Sequence, residues 1–132
     1  MTAAAPRPAF TPGSHPIGAY GHGAFAFAGM LHEGSILATP QGVRAIEATS
    51  VDDLDPKTLA PLIAECAERP GSVEFLIVGT GARMAPVGRP LKDALKRAGL
   101  RFEAMATGPA VRVYNVMQSE NRRVAAVLIA AP

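Results

Sequence analysis

Two short segments of the chain, residues 73–78 and 124–130, consist almost entirely of apolar residues. Each is far shorter than the roughly 20 apolar residues of a membrane-spanning helix, but each has the length of a strand. A strand reads as a continuous apolar run when structure covers both of its faces, because neither row of side chains then meets water. The two segments therefore predict buried strands, and residues 124–130 are expected to run through the middle of a sheet.

Helical periodicity surrounds these strands. Apolar residues recur at i, i+3, i+4 and i+7 spacing within residues 59–66, 91–98 and 109–119, which predicts three amphipathic helices. Thr58 is expected to be the N-cap of the first helix. Residues 102–106 read as a strand between the second and third helices. The second part of the chain therefore alternates strands with helices.

The chain before residue 50 has the period of two that is typical of strands. Residues 23–28 alternate large and small side chains, so that Phe25 and Phe27 share one face of a strand. Residues 35–39 and 43–48 read as two further strands, with glycine-containing turns between them. Short strands joined in this way predict an antiparallel meander.

The order of these elements predicts an α/β fold of three layers. A central mixed β-sheet would carry the N-terminal antiparallel meander followed by βαβαβ, with helices packed against it. The chain of 132 residues is long enough for one domain, over residues 17–132. Residues 1–16 contain four prolines and few large apolar residues, which predicts a disordered tail.

Composition excludes several classes of protein. The hydrophobic fraction of 48% and charged fraction of 18% exclude disorder over most of the chain. A single cysteine, Cys66, excludes a disulfide framework and a cysteine-rich zinc site, and its place on an apolar stripe favours a core residue over a nucleophile. No apolar leader is visible before Pro16, so a cytoplasmic location is expected.

Charge is distributed unevenly along the chain. Residues 83–132 hold nine of the 13 Lys and Arg and only three of the 11 Asp and Glu. Lys92 and Lys96 share one face of the second helix, and Arg89 lies just before it, which predicts an interaction surface for an acidic protein. A solvated helix face is the simpler alternative. Nucleic acid is not expected, because Phe102 and Tyr114 are the only aromatic residues in this half and both fit the core.

Two glycine-containing turns are expected to meet at one edge of the sheet. The strand at residues 73–78 ends in Gly79, Thr80 and Gly81, and the strand at residues 102–106 ends in Thr107 and Gly108. Parallel strands joined by a right-handed crossover bring their carboxyl ends to the same edge, where ligands of open α/β sheets bind. This crevice is the first candidate for a site.

The residues around this crevice favour an anionic ligand. Thr107 is placed to cap the following helix, Arg83 lies on a long loop that could cover the crevice, and Arg112 and Asn115 are spaced i, i+3 on that helix. These residues predict an anion or carboxylate site, which would belong to a small-ligand binder or a weak enzyme. Turns that serve only the geometry of the chain are the alternative.

No catalytic or metal constellation stands out. His22 and His32 with Glu33 lack the spacing of zinc ligands, and Ser35 lacks the strand–turn–helix context of a nucleophile. No pair of carboxylates suits acid–base chemistry. The sequence thus predicts no catalytic residue, no cofactor and no metal, and it favours a protein that is not an enzyme.

Seven short motifs occur in the order of a known family. They are Tyr20-Gly21-His22-Gly23 with Phe25-Ala26-Phe27, His32 with Gly34-Ser35, Pro40-Gln41-Gly42-Val43, Leu76-Ile77-Val78-Gly79-Thr80-Gly81, Met105-Ala106-Thr107-Gly108, Arg112-Val113-Tyr114-Asn115-Val116 and Arg122-Arg123-Val124-Ala125-Ala126. Over about residues 17–131 the chain resembles a small, largely uncharacterised α/β family. That family includes the third assembly factor of the mitochondrial respiratory NADH dehydrogenase complex and an adipogenesis-associated domain protein.

The resemblance implies a three-layer fold, no established catalysis and, for the mitochondrial members, a role in assembling a membrane-bound complex through protein contacts. The resemblance therefore implies protein partners, including those of a membrane-associated complex. The sequence departs from the family pattern at Ala26, Ile46, Pro109 and Val113. A homodimer would be implied if the sheet face of Phe25 and Phe27 formed an exposed apolar patch.

Overall fold

The computed structural model describes residues 10–130, without the side chains of Ala19 and Tyr20. It contains nine strands, three α-helices and one short 3₁₀ helix over Val51–Asp53 among these residues. The strands are β1 (Phe10–Pro12), β2 (Ala19–Gly21), β3 (Ala24–Phe27), β4 (Met30–Glu33), β5 (Ile36–Thr39), β6 (Gly42–Ala45), β7 (Phe75–Gly79), β8 (Arg101–Met105) and β9 (Val124–Leu128). The helices are α1 (Ala60–Glu68), α2 (Arg89–Arg97) and α3 (Thr107–Ser119).

Six of the strands form one mixed sheet in the order β1-β6-β5-β9-β7-β8. The strand β7 runs parallel to both β8 and β9, whereas β5 pairs antiparallel with β6 and β9. Every residue of β9 is buried, because β9 lies inside the sheet and both of its faces are covered. The mixed sheet and the central position of this apolar strand are confirmed.

Each face of the six-stranded sheet has its own apolar core. On one face Leu76, Val78 and Val127 pack with residues of α1 and α2. On the other face Ile77 and Ala126 pack with α3 and with the small sheet described next. Successive residues of a strand point to opposite faces, so one run of apolar residues serves both cores. The three-layer α/β architecture is confirmed.

The N-terminal antiparallel strands are confirmed, but they divide between two sheets. A three-stranded sheet has the order β2-β3-β4, and β5 and β6 belong to the large sheet. The strand β4 lies between Gly29 and Gly34, both of which have positive φ. In the sequence, the residues from Gly29 to Gly34 read as one irregular segment, so the strand between the two glycines is not predicted. Phe25 and Phe27 are buried within the second core, so they provide no exposed face for a homodimer.

The structure differs from the sequence prediction near the N-terminus. Of the predicted tail over residues 1–16, residues 1–9 lie outside the described residues, but Phe10–Pro12 pair with β6 as an edge strand. The Phe10 ring lies against Gly42, and the guanidinium carbon of Arg44 sits 4.7 Å from the ring centroid. Pro12 is tolerated because an edge strand leaves one row of backbone groups without a partner strand.

The start of α1 also differs from the sequence prediction. Leu59 occupies the N-cap position, and no side chain caps the helix. The Thr58 hydroxyl instead donates to the Asp55 carboxylate at 2.8 Å, and the Thr58 N–H donates to the same oxygen at 2.8 Å. The local partner Asp55 thus engages the hydroxyl that a helix cap would have used.

Candidate functional site

The two glycine-containing turns lie side by side at the carboxyl edge of β7 and β8. The Thr80 N–H donates to the Met105 carbonyl at 2.8 Å, and the Thr107 N–H donates to the Gly81 carbonyl at 2.8 Å. This proximity follows from the parallel pairing of the two strands, which sets Gly79 opposite Met105 at their carboxyl ends. The arrangement that sequence analysis expected at this edge is present.

Thr107 bonds to neighbouring backbone groups rather than to the start of α3. Its hydroxyl accepts from the Gly81 N–H at 2.8 Å and donates to the Ile129 carbonyl at 2.8 Å. The side chain is fully buried, and the N-cap of α3 is Ala106. The expected helix cap is therefore absent, and this hydroxyl joins the ends of β7 and β9 to α3.

Thr80 is engaged by the loop that follows it. Its hydroxyl has two carbonyl acceptors within hydrogen-bonding distance, that of Arg83 at 2.6 Å and that of Met105 at 3.2 Å. The same hydroxyl accepts from the Ala85 N–H at 3.1 Å. These bonds fold the loop back onto Thr80. A ligand would therefore have to displace internal hydrogen bonds to reach the hydroxyl of either threonine.

The neighbouring Asn115 is also committed to a structural contact. Its Oδ1 accepts from the Ile17 N–H at 2.8 Å, and its Nδ2 donates to the Ile17 carbonyl at 2.7 Å. Tyr114 donates to the His15 carbonyl at 3.3 Å, and burial raises the pKa of its hydroxyl to about 12. Both side chains hold the segment that leads into the small sheet.

The groups that remain accessible at this edge are few. The residues Arg83 and Arg112 are exposed, and apart from the neighbouring residues and backbone of α3 no atom lies within 4 Å of the place where a Cβ on Gly108 would stand. Gly79, by contrast, is enclosed, because a Cβ there would come within 3.0 Å of the Thr107 hydroxyl and of Leu128. An anion site at these turns stays a prediction that depends on the two guanidinium groups and the backbone at Gly108.

A second candidate surface lies at the other end of β8. Lys92 and Lys96 of α2 line a cavity of about 600 Å³ together with Arg101, Phe75, Phe102 and Glu103. We call Arg89, Lys92, Lys96 and Arg101 the basic flank; all four residues are exposed. The strand β8 is the last of its sheet, so the basic flank borders a free strand edge. The charged pair Arg101 and Glu103 at alternate positions is the sequence signal for such an edge.

The remaining residues named from the sequence occupy other places. His32, Glu33 and Ser35 line a cavity of about 570 Å³ beside β6, but the Ser35 hydroxyl donates to the Ala48 carbonyl at 2.7 Å. His22 is exposed in the turn between β2 and β3. Within the part of the chain that the structure describes, no three His, Cys, Asp or Glu side chains are grouped to hold a metal ion.

Cys66 lies in a groove between the two helices of one face. The groove, of about 640 Å³, is lined by apolar residues of α1 and α2 with Arg97 at its rim. Cys66 is half-buried and packs against the first core. Burial raises the pKa of its thiol, which disfavours the reactive thiolate.

Sequence comparison places this fold in a known family. A family profile described as a protein of unknown function (DUF498/DUF598) matches residues 17–129. The chain belongs to the DUF498/DUF598 family. An uncharacterized protein from Rhodobacter capsulatus is 37% identical over 128 residues, which are 97% of this chain and 94% of that relative.

A more distant likeness connects the DUF498/DUF598 chain to an assembly factor. The NADH dehydrogenase [ubiquinone] 1 alpha subcomplex assembly factor 3 of Danio rerio is 37% identical over 60 residues, or 46% of this chain and 34% of that protein. A crystal structure described as an outer membrane protein from Bartonella henselae superposes with a TM-score of 0.84 at 36% identity, covering 92% of this chain and 98% of that one. The family resemblance drawn from the seven motifs is thus confirmed.

Among residues 10–130, no helix is both long enough and apolar enough to cross a bilayer. The cytoplasmic location stays a prediction.

Proposed function

We propose that this DUF498/DUF598 protein acts by binding other proteins rather than by catalysis, and that an acidic surface of a partner meets the basic flank. Support comes from the distant similarity to an assembly factor, whose name describes a protein that helps to build a complex. Further support comes from the hydroxyls that were considered as a nucleophile or as ligand-binding groups, since those of Ser35, Thr80 and Thr107 are all bound to backbone groups.

Within the described part of the chain the basic flank makes no ion pair, and the proposal depends on this observation. Within residues 10–130, none of its four cations has a carboxylate oxygen within 4.0 Å. The structure offers a direct contrast, because Arg122 and Arg123 both pair with Glu74, at 3.8 and 2.9 Å. Three of these exposed cations, Lys92, Lys96 and Arg101, line one concavity with a single carboxylate, Glu103, and this excess of positive charge produces a local positive potential. Such a potential steers an acidic partner and favours its binding.

Recovery of partners from native lysate tests this proposal. A tagged chain with Arg89→Glu, Lys92→Glu and Lys96→Glu is expected to lose partners that the unmodified chain retains, and added salt should release them because it screens exposed charges. The matched pair Lys96→Glu and Lys57→Glu controls for net charge, since both lysines are exposed and only Lys96 belongs to the flank. Equal recovery by all of these variants would refute a role for the flank.

The second candidate function is binding of a small anion at the two glycine-containing turns. What favours it is the adjacency of those turns, with Arg83 and Arg112 exposed nearby and open space beside Gly108. It has weaker support than the first, because Thr80, Thr107 and Asn115 already use their polar atoms within the fold.

Thermal denaturation with inorganic phosphate and small carboxylates tests the second candidate. A ligand at 100 times its dissociation constant stabilises a protein by about 2.7 kcal/mol, which is readily seen as a rise in Tm. The rise should vanish in Arg112→Ala and persist in Arg122→Ala. No rise with any anion, or the same rise in both variants, would eliminate this function.

A further inference from the structure

We infer that the partner of the basic flank contributes an extended acidic segment, which pairs with the free edge of β8 as an added strand. The inference rests on the proposed function and names the kind of partner structure that the flank would recognise. It depends on three features: the backbone groups of β8, the charges beside them and the unsuitability of the other strand edges.

The backbone of β8 presents hydrogen-bonding groups on its outer side. The Met105 carbonyl accepts from Thr80 on the inner side, and strand residues alternate in the direction of their backbone groups. The N–H and C=O groups of Phe102 and Ala104 therefore point away from β7. No described strand lies on that side. An unpaired edge of this kind is a ready template for another chain.

Charge selects which segment could pair there. The cavity at the start of β8 carries Lys92, Lys96 and Arg101 against one carboxylate, Glu103, and half-buried Phe75 and Phe102 supply its apolar surface. Because alternate side chains of a strand share one face, a segment with acidic residues at every second position would direct them all toward Lys92 and Lys96, on the face where Phe102 packs. Apolar residues at the intervening positions would lie on the opposite face, where half-buried Phe75 packs.

The other free edges are less suited to an added strand. The strand β1 has three residues and ends in Pro12, which has no N–H to donate. The strand β4 carries exposed Met30, Leu31 and Glu33 but no Lys or Arg. The strand β2 has three residues, none of them Lys or Arg. The strand β8 is longer, with five residues, and is the only one of these four described edge strands that borders the basic flank.

A second copy of this chain is a poor occupant. Two copies paired through β8 would bring their basic flanks together, and like charges in an interface oppose association. The acidic stretch at residues 52–55 is also unavailable as a strand. Asp53 accepts from the N–H groups of Thr49 and Ser50 beside the 3₁₀ helix, and Asp55 accepts from Thr58.

An NMR titration of the full chain tests the inference. The probe is a synthetic eight-residue peptide of alternating Glu and Val, added up to about 1 mM, where even weak peptide binding is visible. We expect shifts and slowed hydrogen exchange at the Phe102 and Ala104 amides. Lys92→Glu with Lys96→Glu should weaken binding about tenfold or more. Lys57→Glu should leave binding unchanged.

Two further peptides separate strand addition from simple charge attraction. Alternating Lys and Val should not bind, and the acidic peptide N-methylated at alternate residues should bind much more weakly because it lacks backbone donors. Equal binding of the N-methylated peptide, binding at another edge, or no binding of the acidic peptide would overturn the inference. Concentration-dependent shifts at β8 without peptide would identify a second copy as the occupant and would also overturn it.

The two proposals fail in distinguishable ways. If charge reversal removes partners from the lysate recovery but no peptide protects β8, the basic flank functions without an added strand. If charge reversal leaves the recovery of partners unchanged, the proposed function itself is refuted.

Discussion

Asn115 binds both backbone polar groups of Ile17, at 2.8 Å through Oδ1 and at 2.7 Å through Nδ2, although the two residues are 98 positions apart in the sequence. A carboxamide is suited to this task because it offers an acceptor and a donor side by side. Ile17 is buried in the second core, so the pair fixes the entry of the chain into the small sheet.

Replacing Asn115 should destabilise the segment around Ile17 that leads into the small sheet. In Asn115→Ala the buried N–H and C=O of Ile17 lose their partners, and we expect a loss of about 2 kcal/mol in the free energy of unfolding. Asn115→Asp retains an acceptor for the N–H and leaves only the carbonyl without its donor. Denaturant unfolding and hydrogen exchange of the Ile17 amide measure the effect; an unchanged exchange rate in Asn115→Ala would contradict it.

Replacing Thr107 should destabilise the edge where the two turns meet. Thr107→Val keeps the volume but removes the hydroxyl that links Gly81 and Ile129, so a buried donor and a buried acceptor are left unpaired. We expect a loss of about 2–4 kcal/mol. Thr107→Ser keeps the hydroxyl and should lose clearly less. The prediction fails if valine and serine cost the same in denaturant unfolding.

Adding one methyl group at Gly42 should displace β1. A Cβ at that position would overlap the Phe10 ring and the Thr11 carbonyl, which cannot both move without opening the pairing with β6. Overpacking of this kind costs about 1–3 kcal/mol. Gly21→Ala is the control, because no atom lies within 4 Å of a Cβ there. Hydrogen exchange at the Thr11 amide should rise in Gly42→Ala alone, and equal exchange in the two variants would count against the assignment of β1.

High pH should weaken the fold through Tyr114. Burial raises the pKa of its hydroxyl from 10.0 to about 12 in the folded state. Above about pH 10 the unfolded chain loses this proton while the folded chain keeps it, so the free energy of unfolding falls as pH rises from 10 to 12. The full effect is about 2–3 kcal/mol, and nothing changes below pH 10.

The control for this pH effect is Tyr114→Phe, which removes the titrating group and keeps the ring. The difference in unfolding free energy between the two proteins should stay constant from pH 7 to pH 9 and shrink above pH 10. A constant difference up to pH 12 would show that Tyr114 titrates as an exposed phenol.

Much of the fold could be predicted because its strongest patterns are local. The apolar run that contains β9 cannot face water on either side, so its central place in a sheet follows from the residues alone. The spacing of Leu91 and Leu95 gives α2 in the same way. The division into two sheets could not be predicted, because it depends on contacts between distant segments. Ser35, between β4 and β5, for example bonds through its hydroxyl to Ala48 and Ala130, 13 and 95 positions away.

The position of the two turns could be predicted from the sequence, but the hydrogen-bond partners of their hydroxyls could not. The Gly-Thr-Gly turn and Thr107 fall at the ends of parallel strands, and the topology brings them together. Their hydroxyls could be read as ligand-binding groups or as structural ones, and the choice was decided by carbonyls of distant residues such as Ile129. The free edge of β8 was indicated in the sequence only by Arg101 and Glu103, because the order of strands in a sheet depends on contacts between distant segments.

Photocrosslinking in the native host tests the central claim most directly. A photoreactive phenylalanine analogue replaces Lys96 in one variant and Lys57 in the other. We predict protein adducts from position 96 that carry an acidic segment at the crosslink, that disappear when Lys92→Glu and Arg101→Glu are added, and that are absent from position 57. The same adducts from both positions, or adducts that survive the charge reversal, would contradict the claim that this protein works through its basic flank.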